Sequence, residues 1–251
     1  MSIQFVILGA PRTGSTLLVR TLNSLDDLLC HGELLGPDKV RGYEDGFDLV
    51  AASPDERKKR EQRLLLEREQ SPLGFIKHAL AGAHAATGLK VIYSQFLAPS
   101  WSDVVEYFLT TPDTRFIHLT RLNMLRRYVS EKIAQAGGPI HSGAGGRSEV
   151  PMKIQVDIDA FLQRSKELEA QASHLASLLS GRQVIEITYE ELAADTPATI
   201  GRIGQFLELE MNRAKVEAAL EKVGAADLSN AVSNYQELLK NPATRALALA
   251  D

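Results

Sequence analysis

A phosphate-binding loop is the first feature of this chain that could do chemistry. The apolar residues 5–8 are followed by Gly-Ala-Pro-Arg-Thr-Gly-Ser-Thr at residues 9–16, which has the spacing of the G-x-x-x-x-G-K-[ST] loop that cradles polyphosphates. Ser15 stands where that loop carries its lysine. A cradle of backbone amides without this lysine favours a single 5′-phosphate-type group, and Arg12 supplies positive charge from inside the loop.

Two later segments place polar residues at the ends of predicted strands. Residues 116–120 predict a core strand that ends at Arg121, and Ser130 follows nine residues later in a helical pattern. An arginine more commonly caps a helix or pairs with a surface acid, but the carboxyl edge of a parallel strand is where ligands of open α/β sheets bind, which favours a functional role for Arg121. Tyr189 begins a Tyr-Glu-Glu-Leu segment, which by itself is typical of an ordinary helix start.

Taken together, these segments resemble the sulfotransferases that use 3′-phosphoadenosine 5′-phosphosulfate (PAPS). The 5′-phosphosulfate loop of that family reads roughly P-[KR]-[ST]-G-[ST]-T, and residues 11–16 match every position. Its second signature is a strand-end arginine and a helical serine about eight residues later. Arg121 and Ser130 are nine apart, so either the strand–helix corner holds one extra residue or a different pair binds the 3′-phosphate. The Tyr189 segment resembles the family's Y-E-[DE]-L.

The resemblance is to the small bacterial branch that includes trehalose, nodulation-factor and lipopolysaccharide sulfotransferases. It implies in-line transfer of a sulfuryl group from PAPS to a hydroxyl of a small-molecule, lipid or carbohydrate acceptor. Arg12 then stabilises charge on the leaving group, and no metal is expected because there is no β/γ-phosphate pair to bridge. The residues expected to bind the nucleotide are Arg12, Thr13, Gly14, Ser15, Thr16 and Leu17 at the 5′ end, Arg121 and Ser130 at the 3′-phosphate, and Tyr189.

The general base is expected just after the first predicted helix. Glu33 stands there in a Gly-Glu context, which is where the bacterial branch carries its base. His31 is the second choice, because its pKa suits proton transfer near neutrality whereas Glu33 would need its pKa raised by partial burial. Lys90 matches a lysine common in this branch and could equally be a strand-edge charge. For His118, within a predicted strand, the favoured interpretation is a buried histidine with its hydrogen bonds satisfied.

Strand and helix patterns alternate along the chain, which predicts parallel βαβ crossovers. The apolar strand patterns fall at 3–8, 89–93, 115–120 and 183–187, and the helical patterns at 15–25, 55–70, 72–86, 101–109, 123–136, 158–180, 196–207, 213–222 and 233–249. We therefore expect a single sulfotransferase domain over 1–251, with a three-layer α/β, P-loop NTPase-like fold, helices on both faces of a mainly parallel sheet and a helical C-terminal part. The glycine-rich 137–149 segment is either a lid or a plain connector.

Composition excludes several classes of protein. A net charge of −4 opposes nucleic-acid binding, which needs clustered cations. The lone cysteine, Cys30, indicates a reducing cytoplasm, and no apolar stretch of about 18 residues predicts a membrane span. The alternatives left open are a small-molecule kinase or other P-loop nucleotide-binding protein, and a non-catalytic scaffold that binds the 3′,5′-bisphosphate product (PAP). A homo-oligomer also stays open.

Overall fold

Five parallel strands form the centre of the computed structural model, which describes residues 2–45, 53–137, 152–209, 216 and 228–250. The strands are β1 (Ile3–Gly9), β2 (Leu28–His31), β3 (Ala86–Ile92), β4 (Arg115–Thr120) and β5 (Gln183–Thr188). Their spatial order is β2-β3-β1-β4-β5, and each pairs parallel to its neighbour. The chain continues from the central β1 to β2 and β3 on one side and later to β4 and β5 on the other. The carboxyl end of β1 therefore lies at a topological switch point, where such sheets bind ligands.

Helices cover both faces of this sheet. They are α1 (Ser15–Asn23), α2 (Pro54–Gln70), α3 (Pro72–Leu80), α4 (Tyr93–Phe96), α5 (Ser102–Thr110), α6 (Met124–Gln135), α7 (Ile158–Leu178), α8 (Tyr189–Ala194), α9 (Thr196–Phe206) and three short ones at Leu228–Ala231, Tyr235–Lys240 and Pro242–Leu249.

The alternation of side chains along β1 explains the three layers. Phe5 and Ile7 share a buried cluster with residues of α1 and α9, whereas Val6 and Leu8 share one with residues of α3, α5 and α7. Successive side chains of a strand point to opposite faces, so one fully apolar strand serves two cores. A third cluster joins α6 to the start of α7 and to the C-terminal helices. This cluster holds α6 beside the carboxyl edge of the sheet.

The predicted α/β fold with a parallel sheet is confirmed, and most element boundaries agree within two residues. The pattern over 72–86 was wrong at its end, because α3 stops at Leu80 and β3 begins at Ala86. Three of residues 85–88 are alanine or glycine, which have little intrinsic strand preference, so pairing with β1 imposes the extended backbone there. The four-residue edge strand β2 was also missed. The helix expected over 233–249 is two helices that meet at Asn241.

Two predictions fall outside the described residues. The glycine-rich 137–149 segment lies there apart from Gly137, and the 213–222 helix lies there apart from Val216. Across the described ranges, no helix has both the length and the apolar character needed to cross a bilayer.

Candidate active site

The loop between β1 and α1 is built around two residues in the left-handed backbone region. Arg12 has φ 69° and Gly14 has φ 86°. Thr13 is buried, and its Oγ1 donates to the Ala10 carbonyl at 2.9 Å, which closes the loop on itself. Gly14 occupies the N-cap position of α1, and among the described residues no side chain caps that helix end. By contrast, Asp157 caps α7 with its carboxylate. The helix dipole and the first amides of α1 thus favour an anion at this loop.

Residues predicted to hold the two ends of the nucleotide meet at this loop. The Nε of Arg12 donates to Ser130 Oγ at 3.0 Å, and Nη1 of Arg121 donates to the Arg12 carbonyl at 3.2 Å. The Arg121 guanidinium lies 4.4 Å from the centre of the Tyr189 ring. That ring packs directly on Gly14, where an added Cβ would lie 2.4 Å from Tyr189 Cδ2. The nine-residue spacing from Arg121 therefore does not separate Ser130 from the loop.

The segment that begins at Tyr189 also shapes the corner between β4 and α6. Both carboxylate oxygens of Glu190 accept from backbone amides, one from Leu122 at 3.0 Å and one from Asn123 at 3.1 Å. The next residue, Glu191, forms a capping box with Thr188 at the start of α8. These contacts hold the corner that carries Arg121, so the Tyr-Glu-Glu-Leu sequence does more here than begin a helix.

Burial shifts the pKa values of Arg12 and Arg121 in the same direction. Burial lowers the pKa of Arg12, and the nearby carboxylates Glu33 and Glu131 oppose that change. Burial likewise lowers the pKa of Arg121, with Tyr189 opposing it. A guanidinium starts from a pKa so high that it stays charged at neutral pH. Two partly desolvated positive charges therefore lie at the loop, where each attracts an anion more strongly than it would in water.

Glu33 lies on the other side of the loop, in contact with Lys90. Lys90 Nζ is 2.7 Å from Glu33 Oε1 and 3.5 Å from the Oγ1 of Thr16, so it bridges the carboxylate and the start of α1. Glu33 Oε2 has longer contacts, at 3.5 Å from Gln95 Nε2 and 3.9 Å from Arg41 Nη1. Burial would raise the pKa of Glu33, but Lys90, Arg41 and Gln95 together lower it below its usual value. The upward pKa shift that Glu33 would need to match His31 as a base does not occur, because Lys90 pairs with the carboxylate.

Backbone contacts hold the segment that carries Glu33. Gly32 packs so closely on the 41–42 backbone that an added Cβ would lie 2.6 Å from the Arg41 carbonyl. The Gly32 carbonyl accepts from the Lys90 amide at 3.3 Å. Arg68 is buried, and its Nη1 donates to the carbonyls of Leu34 at 2.9 Å and Gly36 at 2.6 Å. These contacts on both sides of Glu33 limit the positions that its carboxylate can adopt.

His31 and His118 both use their ring nitrogens in contacts within the protein. His31 is buried, its Nε2 is 2.9 Å from the Ala79 carbonyl, and its Nδ1 accepts from the Glu44 amide at 2.8 Å. Burial lowers the pKa of His31. Both ring nitrogens are thus used by the backbone. His118 has the satisfied environment expected for it, with Nε2 2.6 Å from Tyr93 Oη and Nδ1 2.7 Å from Glu186 Oε2.

Comparison with known proteins identifies the family of this chain. Residues 4–213 match the family model described as "Sulfotransferase family". The chain belongs to the sulfotransferase family. The predicted enzyme class is thereby confirmed, since this is a family of sulfuryl-transferring enzymes. No curated protein matches the sequence significantly.

Two solved sulfotransferase domains have the same fold as this chain at low sequence identity. The sulfotransferase domain from the curacin biosynthetic pathway is 16% identical, with a TM-score of 0.55 over 98% of this chain and 89% of that one. The sulfotransferase domain of the Synechococcus PCC 7002 olefin synthase is also 16% identical, with a TM-score of 0.52 over 99% and 86% of the two chains. Mouse sulfotransferase SULT7A1, solved with PAP, is 12% identical with a TM-score of 0.45 over 95% and 67%.

Proposed function

We propose that this enzyme transfers a sulfuryl group from PAPS to a hydroxyl of a small-molecule, lipid or carbohydrate acceptor. One observation carries the proposal: Arg12, Arg121, Ser130 and Tyr189 converge on a loop whose helix end has open amides. A single phosphate needs only the loop, whereas a second cation and hydroxyl beside it suit a nucleotide with another phosphate.

In this proposal the residues of the loop bind the 5′-phosphosulfate end. The amides from Thr13 to Leu17 and the hydroxyls of Ser15 and Thr16 face the anion, and Arg12 adds charge. The Thr13 hydroxyl is used within the loop, where it donates to the Ala10 carbonyl. Arg121 and Ser130 bind the 3′-phosphate, and the Tyr189 ring packs against both Gly14 and the Arg121 guanidinium. PAPS supplies an activated sulfuryl group whose leaving group is a phosphate. Positive charge and amides at the loop stabilise the negative charge that develops there, a stabilisation that does not require a metal ion.

Glu33 is the base in this proposal. Its pKa is lowered, so it is an ionised carboxylate at neutral pH and can accept a proton. Lys90 holds Oε1 at 2.7 Å, which leaves Oε2, with its longer contacts, to receive the acceptor's hydroxyl proton. As the acceptor oxygen bonds to sulfur, the sulfur–oxygen bond to the phosphate breaks, the proton passes to Glu33, and the bisphosphate carries away the negative charge. His31 has no ring nitrogen left for this step.

The finer features of the enzyme are also proposals. The family match over 4–213 supports one sulfotransferase domain across 1–251. The single, buried Cys30 suits the reducing cytoplasm of a bacterium.

Thermal shift and sulfuryl transfer test the function directly. We expect 3′,5′-adenosine bisphosphate to raise the melting temperature, because it binds only the folded state, and ATP with Mg²⁺ to raise it much less. Radiolabelled PAPS should transfer its sulfuryl group to members of an acceptor panel. Arg12→Ala should lower kcat by about 10²–10³, the scale for losing one preorganised charge donor. Arg20→Ala, at an exposed position of α1, the helix that follows the loop, is the matched control. Stabilisation by ATP alone would contradict the proposal.

A further inference from the structure

Arg127 is a buried cation that the proposed reaction leaves unexplained. It lies on α6, and its side chain has no exposure to solvent. Its Nη1 donates to the Pro11 carbonyl at 3.2 Å and to Glu131 Oε2 at 2.8 Å. Glu131 also pairs with Arg164 of α7, at 2.9 Å. A fully buried guanidinium is costly, so its contact with the loop calls for an explanation.

The contact explains how Arg12 is held in a strained conformation. The φ and ψ angles of Arg12 set the relative orientation of the two peptide planes on either side of it. Arg127 binds the carbonyl of the first plane, that of Pro11, and Arg121 binds the carbonyl of the second, that of Arg12 itself. With both planes fixed, Arg12 is kept at φ 69°, which costs a non-glycine residue energy that the surroundings must supply.

We propose that Arg127 is a positioning residue for the sulfotransferase reaction, one that imposes the left-handed backbone on Arg12 and so sets the shape of the anion-binding loop before the nucleotide arrives. Glu131, one turn further along α6, holds Arg127 in place through an ion pair at 2.8 Å. Arg121 shares this task but also faces the nucleotide, whereas Arg127 acts only through the loop backbone. The inference rests on the proposed PAPS site.

Glycine at position 12 tests this role, because glycine adopts the left-handed region without strain. Arg127→Met is made in three backgrounds: the wild type, Arg12→Ala and Arg12→Gly. The two position-12 backgrounds both lack the arginine side chain, and only alanine retains the strain. We expect Arg127→Met to weaken binding of 3′,5′-adenosine bisphosphate about tenfold in the wild type and in Arg12→Ala, on the scale of the backbone preference. In Arg12→Gly the loss should be less than about threefold.

Arg164→Met is the matched structural control, because it removes the other partner of Glu131 without touching the loop. It should leave bisphosphate affinity unchanged even where it lowers the melting temperature. Equal affinity losses from Arg127→Met and Arg164→Met, or equal losses in the alanine and glycine backgrounds, would overturn the inference. Arg127→Lys retains the buried charge with a shorter reach to Pro11, and is measured by the same criteria if the methionine variant does not fold. A wild type that binds no bisphosphate refutes the proposed function instead, and the inference with it.

Discussion

Replacing Gly14 with alanine is a sharp test of the loop geometry. Gly14 has φ 86°, and an added Cβ would lie 2.4 Å from Cδ2 and 3.0 Å from Cε2 of Tyr189. Ordinary contact begins near 3.4 Å, so the Tyr189 ring must move by about 1 Å to make room. The change therefore has two costs, one in the backbone and one in the packing of the ring beneath Arg121.

The magnitudes of the two costs can be separated. A left-handed alanine costs about 1 kcal/mol, which lowers the melting temperature of a chain of this size by about 2–4 °C. Displacing Tyr189 also disturbs its contact with the Arg121 guanidinium, an interaction of about 0.5–2 kcal/mol. Because both residues are proposed to bind the nucleotide, we expect Gly14→Ala to weaken 3′,5′-adenosine bisphosphate by about 10–100-fold.

Gly181 provides the matched control. Its φ of 77° is similar, but a Cβ there would meet no heavy atom of the described residues within 4 Å. Gly181→Ala should therefore lower the melting temperature by a similar backbone amount and leave the affinity measured by titration calorimetry unchanged. A Gly14→Ala, Tyr189→Ala double variant should show that the two changes are not additive, since removing the ring removes the clash. If the bisphosphate affinity of Gly14→Ala were within threefold of that of Gly181→Ala, the packing of the Tyr189 ring on the loop would not govern binding.

Three further expectations concern the nucleotide and the base. Arg121→Ala should weaken 3′,5′-adenosine bisphosphate by about 2–3 kcal/mol in calorimetry and barely change binding of 5′-AMP, because Arg121 is assigned to the 3′-phosphate; equal losses would remove that assignment. Glu33→Gln should slow single-turnover transfer by about 10²–10⁴ with nucleotide affinity retained, whereas His31→Asn should cost less; the reverse order would make His31 the base. The folded pKa of Glu33 is lowered, so its stabilising pairing with Lys90 is present above the ordinary value of 4.5 and is lost as pH falls through the folded pKa. Wild type should therefore exceed Glu33→Gln in free energy of unfolding near pH 7, and a gap that persisted under strongly acid conditions would contradict this pairing.

Contiguous patterns explain why so much of the fold could be predicted. Consecutive residues carry the signals for the apolar strand β1 and for the loop after it. The alternation of strands with helices along the chain predicts the parallel pairing. β2 escaped detection because four residues are too few to show a pattern. The start of β3 escaped because Gly88 lies there beneath the Phe5 ring, where a Cβ would be 2.5 Å from ring atoms. A glycine required by such a distant contact weakens the local strand signal.

Contacts between residues far apart in sequence were beyond prediction. The contact between Arg12 and Ser130 spans 118 positions and depends on how α6 packs. Arg127 was overlooked because Arg126 and Arg127 look alike in a helical pattern, yet one is buried against the loop and the other is half-exposed. Only helix periodicity could have helped, since Arg127 is three residues before Ser130 and so shares its face of α6.

The environment of Glu33 shows most clearly what sequence reasoning lacks. Lys90 is 57 positions away, and it reaches the carboxylate because β2 pairs with β3, the former being the strand that was missed. An expectation of a raised pKa follows from burial alone, but the ion pair reverses the direction. A base with a lowered pKa cannot ionise a free hydroxyl in advance. It can take the proton only as the acceptor oxygen bonds to sulfur and its hydrogen becomes acidic, so proton transfer and sulfuryl transfer belong to one step. Lys90 also bridges the Glu33 carboxylate and Thr16, so it links the proposed base to the loop where, in the proposed reaction, the leaving group develops charge.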